Sequence, residues 1–151
     1  MEGSATVHIE ATPEKVWAVV SDVTRVGEWS PECVRCEWVD GATGPAEGAK
    51  FKGHNKRGWA RWSTTSEVTT VDPGREFAFQ VQGGTPTVWR YSLQPSGDGT
   101  DVVESFSLAR PEKLVERMMT RLMGVKDREA DLTDGVRQSL ERLKGVVEGT
   151  G

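Results

Sequence analysis

Apolar and polar residues alternate over residues 5–10, which is the period of a β-strand. Thr12 and Pro13 then favour a helix start, because Thr is a good N-cap and Pro fits the first helical turn. A second short helix is predicted over residues 23–29. It ends before Pro31, because the residue preceding a proline is driven out of the α region.

The middle of the chain is a series of short segments typical of strands, separated by turn residues. Gly, Pro, Asp and Ser fill the separators, where they supply a positive φ or restrict the turn. Strands joined by such short loops pair antiparallel, because a parallel crossover needs a dozen residues or more. The predicted strands of this meander cover residues 34–39, 49–56, 60–71, 76–82, 87–94 and 101–109.

The last part of the chain has helical periodicity. Apolar residues recur at spacings of three and four from Pro111 as far as Val147, which predicts one long amphipathic helix with a kink near Gly124. Residues 148–151 are expected to fray. The order of elements predicts an α+β fold in which a bent antiparallel sheet packs against the long helix. A cavity left between them would be a natural apolar ligand site.

Composition fits one ordinary domain over residues 1–151. The chain has 19 Lys and Arg against 23 Asp and Glu, a net charge of −4, which argues against a nucleic-acid partner. Its apolar runs are too short to span a membrane, and the first residues lack the pattern of a signal peptide. Two cysteines are too few for a disulfide framework, so a cytoplasmic location is expected, as a monomer or a homodimer.

Six short motifs occur in a characteristic order. They are residues 9–17 (IEATPEKVW), 28–31 (EWSP), 48–51 (GAKF), 68–75 (VTTVDPGR), 88–95 (VWRYSLQP) and 99–104 (GTDVVE). In this order the chain resembles the helix-grip (SRPBCC) superfamily, which includes birch-pollen-type allergens, START lipid-transfer domains and the bacterial polyketide cyclase/dehydrase family. The resemblance implies about seven strands curved around the C-terminal helix. It also implies a cavity for a hydrophobic or amphipathic small molecule, with no cofactor.

Strand parity selects the candidate lining of that cavity. Trp89 and Tyr91 share one face of a predicted strand, and Glu104 and Phe106 share one face of the next. Met118, Met119 and Met123 of the long helix would form an adaptable roof. The predicted ligand-binding residues are Trp29, Phe51, Asn55, Trp62, Ser66, Phe79, Trp89, Tyr91, Glu104, Phe106, Met118, Met119 and Leu122.

Glu104 is the main candidate for chemistry, with Tyr91 and His54 as further proton carriers. Burial raises the pKa of an unpaired carboxyl group, which prepares it for general acid–base catalysis near neutral pH. The competing explanation is structural: Arg90 or His54 pairs with Glu104, or a bulge turns it outward. The structural explanation is favoured, because inferences from strand parity often fail in bent strands that carry bulges.

The sequence Cys33-x-x-Cys36 invites a redox or a zinc interpretation. A redox motif of this type needs a helix N-terminus to lower the thiol pKa, whereas this one lies at a strand start. Zinc needs further ligands, and the remaining histidines, His8 and His54, are distant in sequence. Both thiols are therefore interpreted as structural, and no metal is predicted.

Three functions remain open, because the fold hosts carriers, sensors, co-chaperones and enzymes. The first is binding of a lipid, a polyketide or another ring-containing ligand, which the lack of a recognisable catalytic motif favours. The second is a polyketide aromatase/cyclase or dehydratase that uses acid–base residues of the pocket. The third is a protein-interaction module of the co-chaperone type.

Overall fold

The computed structural model describes residues 2–83, 86–108, 113–122 and 128–149. The strands found there are β1 (Glu2–Ile9), β2 (Cys33–Val39), β3 (Lys50–Arg57), β4 (Ala60–Asp72), β5 (Glu76–Gln82), β6 (Thr87–Ser96) and β7 (Gly99–Leu108). The helices are α1 (Pro13–Val20), a short 3₁₀ helix (Val23–Glu28), α2 (Leu114–Leu122) and α3 (Arg128–Gly149).

All neighbouring strands pair antiparallel in the order β1-β7-β6-β5-β4-β3-β2. The predicted α+β fold, a curved antiparallel sheet with short helices after β1 and a long C-terminal helix, is confirmed. The predicted meander strands lie within two residues of the observed ones. β1 starts earlier than predicted because the polar residues Glu2 and Ser4 pair with β7, a contact that local alternation does not reveal.

Helix α1 begins as its sequence predicts. The side chain of Thr12 caps the helix by accepting a hydrogen bond from the backbone N–H of Lys15 at 3.3 Å, and Pro13 occupies the first turn. The valines of this helix are buried, so one face of it belongs to the core.

The region of the predicted long C-terminal helix contains two described helical segments, α2 and α3. The residues between them, including the expected kink near Gly124, lie outside the described residues. Helix α3 continues to Gly149 rather than fraying from residue 148. Glu148 accepts hydrogen bonds from the backbone N–H of Glu10 at 2.9 Å and from Nζ of Lys144 at 2.6 Å, and these contacts tie the helix end to the chain after β1.

The core lies between the sheet and α3. One face of α3 buries Val136, Leu140 and Leu143 against the sheet, in one hydrophobic cluster with Phe106. Gly3 permits the close approach of α3 to β1, because a Cβ at that position would lie 2.7 Å from Oγ1 of Thr133. Within the described part of the chain, no helix is long and apolar enough to cross a membrane.

Candidate functional site

A cavity of about 1010 Å³ lies between the sheet and α3. Its volume matches that of sites for small organic ligands, which are about 300–1,000 Å³. Exposed residues Gly58, Gln82 and Gly83 are part of the lining, so the cavity reaches solvent at the ends of these hairpins. The predicted ligand-binding residues that line it are Phe51, Asn55, Trp62, Ser66, Phe79, Trp89, Tyr91 and Glu104.

Aromatic rings form an apolar wall along the sheet. Phe51 and Phe79 meet edge to face, with ring centroids 5.0 Å apart. Trp89 packs against Phe106 with centroids 5.5 Å apart. Phe106 was predicted to contact ligand, but it is not among the residues that line the cavity; it is buried and supports Trp89 instead. The wall is therefore held in place by ring contacts within the protein.

Glu104 brings a carboxyl group to this apolar wall. Its side chain is 3% exposed, and its atom Oε1 has no hydrogen-bond partner among the described residues. Burial raises the pKa of Glu104 to about 8, although hydrogen bonds with Ser139 and Tyr91 act in the opposite direction. At neutral pH the group is therefore mostly a neutral carboxylic acid with one oxygen unpaired.

Tyr91 and Trp29 are linked to the carboxyl group of Glu104, and these three side chains form the polar centre of the site. Tyr91 lies directly opposite Glu104 in the pairing of β6 with β7. Its hydroxyl accepts a hydrogen bond from Nε1 of Trp29 at 3.3 Å. Burial, and secondarily the charge of Glu104, raises the pKa of Tyr91, which keeps it protonated. Trp29 does not line the cavity as predicted, because it is fully buried and contacts the site through Tyr91.

His54, predicted as a proton carrier, is not part of this centre. Strand alternation places Phe51, Gly53 and Asn55 of β3 on the cavity side and leaves His54 on the other. Its Nε2 lies 3.0 Å from Oε1 of Glu37. That hydrogen bond is the main cause of the lowered pKa of Glu37.

The predicted structural ion pair at Glu104 is also not formed. Arg90 pairs with Glu76, with Nη1 and Oε1 2.5 Å apart. His54 contacts Glu37 and Arg35 instead. Glu104 therefore faces the cavity without a cationic partner among the described residues.

The helical roof comes from α3 rather than from the predicted residues. Met118, Met119 and Leu122 lie on α2, are 57%, 58% and 76% exposed, and do not line the cavity. Met123, also predicted for the roof, lies outside the described residues. Ser139 of α3 supplies the roof contact to Glu104 that sequence reasoning missed. Its only signal is a Ser within the apolar stripe that includes Val136.

An ion pair spans the rim of the cavity. Nη1 of Arg57, at the end of β3, lies 2.7 Å from Oδ2 of Asp131 on α3 and 3.4 Å from Oε1 of Glu32. All three residues line the cavity. This pair connects the β3–β4 hairpin to the helix beside the opening.

The sequence as a whole matches one family model, described as polyketide cyclase / dehydrase and lipid transport, over residues 2–148. The chain belongs to this family. The Polyketide_cyc-like protein Cgl2372 from Corynebacterium glutamicum is 34% identical, with 97% of this chain and 85% of that chain covered and a TM-score of 0.53. The resemblance inferred from the six sequence motifs is thus confirmed.

Other solved structures share the fold at low identity. The protein MLL2253 from Mesorhizobium loti is 18% identical over 100% of this chain and 99% of that one, with a TM-score of 0.73. The di-domain ARO/CYC StfQ of the steffimycin biosynthetic pathway is 11% identical, with a TM-score of 0.76. The match covers 99% of this chain and 51% of that one. No curated protein matches the chain. The match to the family model thus shows membership of the polyketide cyclase/dehydrase family.

Proposed function

We propose that this polyketide cyclase/dehydrase family protein binds a ring-containing, amphipathic small molecule whose carbonyl oxygen pairs with Glu104. The observation that carries the proposal is the unpaired Oε1 of Glu104 at an aromatic-walled cavity. A buried polar atom without a partner costs about 1–3 kcal/mol. A ligand that supplies the missing partner recovers that cost, so the site selects for a polar atom at this point.

The hydrogen-bond network indicates which polar atom is selected. The Tyr91 hydroxyl accepts from Trp29, so its own proton is free to be donated to Glu104, and Ser139 is a second partner of the same carboxyl group. Neither contact satisfies Oε1, which has no partner among the described residues. In the proposed complex the carboxyl proton resides on Oε1 and is donated to an acceptor atom of the ligand. A ketone or quinone oxygen on a flat ring system fits both the donor and the wall of Trp62 and Trp89.

Anthraquinone and anthracene form a matched pair of probes, because they share a ring skeleton and differ in the carbonyl oxygens. We expect both to quench tryptophan fluorescence with saturation, and anthraquinone to bind about fivefold more tightly, the value of one net hydrogen bond of about 1 kcal/mol. Glu104→Leu, which removes the donor, should abolish this preference. Glu104→Gln, which keeps an N–H donor, should retain it.

Trp59→Phe is the control for the fluorescence signal, because Trp59 is 85% exposed and does not line the cavity. Its titration should match that of the unaltered protein. Equal affinity for the two probes, or no saturable quenching by either, would refute the proposal.

A second candidate function is catalysis, favoured by the neutral carboxyl group beside Tyr91. A carboxylic acid that donates to a ketone polarises the carbonyl group, and transfer of its proton would assist ring closure of a poly-keto chain and subsequent loss of water. A synthetic poly-keto thioester tests this reaction. Glu104→Gln donates a hydrogen bond but cannot transfer a proton, so it should lose turnover while still binding anthraquinone. Unchanged turnover in this variant would remove Glu104 from the mechanism.

A further inference from the structure

Cys33 and Cys36 lie side by side at the cavity wall. Their Sγ atoms are 3.1 Å apart. Residues three apart in a regular strand face opposite sides of a sheet. In β2, however, the pairing register with β3 shifts between Cys33 and Arg35, and this bulge turns both cysteines to the same side.

The surrounding residues leave room for the two sulfur atoms. Gly53 of β3 lies against both of them, and a Cβ at Gly53 would be 3.5 Å from each Sγ atom. The backbone N–H of Cys33 donates to Oγ of Ser30 at 3.0 Å. Cys33 and Cys36 are 9% and 6% exposed and both line the cavity. A small molecule therefore reaches these thiols through the cavity.

The sulfur separation distinguishes a disulfide site from a metal site. Zinc–sulfur bonds of about 2.3 Å place two tetrahedral thiolate ligands about 3.8 Å apart. The observed 3.1 Å is shorter and lies about 1 Å from the length of a disulfide bond. In addition, the described residues contain no group of three or more His, Cys, Asp or Glu side chains that could hold a metal ion.

The two thiols have different electrostatic environments. The hydrogen bond with Cys36 lowers the pKa of the Cys33 thiol. The same hydrogen bond, together with burial, raises the pKa of the Cys36 thiol. Because the thiolate is the nucleophile, this difference assigns the first attack to Cys33 and the second to Cys36.

We propose that Cys33 and Cys36 are a peroxide-reactive dithiol that closes to a reversible disulfide in the cavity wall. The Cys33 thiolate attacks one peroxide oxygen, the O–O bond breaks, and the leaving hydroxide takes up a proton to form water. The sulfenic acid on Cys33 is then attacked by Sγ of Cys36. The S–S bond forms, the S–O bond breaks, and the second hydroxide leaves as water with the Cys36 proton. Two thiols and one hydrogen peroxide thus give one disulfide and two waters.

The test treats the full chain with hydrogen peroxide and follows its intact mass and its free thiols. We expect the monomer to lose two hydrogen atoms and both thiols, and dithiothreitol to restore them. Cys36→Ser lacks the resolving thiol, so it should gain one oxygen atom on Cys33, and dimedone should trap this sulfenic acid. Cys33→Ser removes the proposed first nucleophile, so it should form no disulfide within the chain.

Two results would overturn the proposal: both thiols surviving peroxide, or oxidation only through dimers linked between chains. Thermal unfolding of each variant verifies that it is folded before its reaction is compared. The chemistry is independent of the ligand proposal, because the probe is hydrogen peroxide and the readout is the mass of the protein.

Discussion

The raised pKa of Glu104 predicts how the stability of the protein depends on pH. Burial raises that pKa from the ordinary value of 4.5 to about 8. Between these two values the folded protein holds a proton that the unfolded chain has released. The free energy of unfolding therefore falls by about 1.4 kcal/mol for each unit of rising pH.

The total change in the free energy of unfolding follows from the width of the pH range between these two pKa values. Over about 3.5 pH units the loss is about 5 kcal/mol, comparable with the total stability of a small domain. The contribution is fully present below pH 4.5, is lost as pH rises towards 8, and changes no further above 8, where both states are ionised. Glu104→Gln has no proton to lose at this position. The free energy of unfolding of the variant should therefore rise relative to that of the unaltered protein as pH increases, by about 3 kcal/mol between pH 4.5 and pH 7.

Urea unfolding followed by tryptophan fluorescence, at intervals from about pH 5 to about pH 9, measures the difference between the two proteins. Other titrating groups are present in both proteins and cancel in this comparison. Among them is His8, whose pKa is raised by its hydrogen bond to Asp101 and whose stabilisation is also lost as pH rises. If the two stability curves run parallel over this range, Glu104 is not buried as a neutral acid and the argument is refuted.

Two further substitutions probe the surroundings of the cavity. Tyr91→Phe leaves Nε1 of the buried Trp29 without its acceptor, so we expect a loss of about 1–3 kcal/mol in the free energy of unfolding; a loss below about 0.5 kcal/mol would contradict this hydrogen bond. Arg57→Gln removes the ion pair with Asp131 at the partly exposed rim, so the loss in urea unfolding should be about 1 kcal/mol or less and should shrink at high salt. A loss independent of salt would indicate a packing role for Arg57.

Local sequence patterns were sufficient to predict most of the secondary structure and many of the residues in the cavity wall. The alternation in β6 and β7 placed Tyr91 and Glu104 on the inner face, because side-chain direction in a strand has a period of two whatever the strand pairs with. The cap at Thr12 followed in the same way from adjacent residues. These features depend on contacts within a few residues, so they can be read along the chain.

Features that depend on packing between distant segments were missed. The bulge that brings Cys33 beside Cys36 arises in the pairing of β2 with β3, and no local pattern marks it. Ser139 contacts Glu104 only because α3 crosses the sheet at that point. The roof was assigned to Met118 and its neighbours, which are exposed, because helical periodicity does not reveal which part of the helical region covers the sheet.

The amino-acid sequence by itself determined the class of fold, the family and the inward face of most strands, since these depend on periodicity, turn residues and short motifs. Tertiary structure alone decided the chemistry of the cavity. The neutral state of Glu104 comes from its burial, which outweighs the opposing effect of hydrogen-bond partners far away in the chain, Tyr91 on a neighbouring strand and Ser139 on the final helix. Burial, pKa and the spacing of two thiols are properties of the assembled core, so they exist only after the sheet and α3 have packed together.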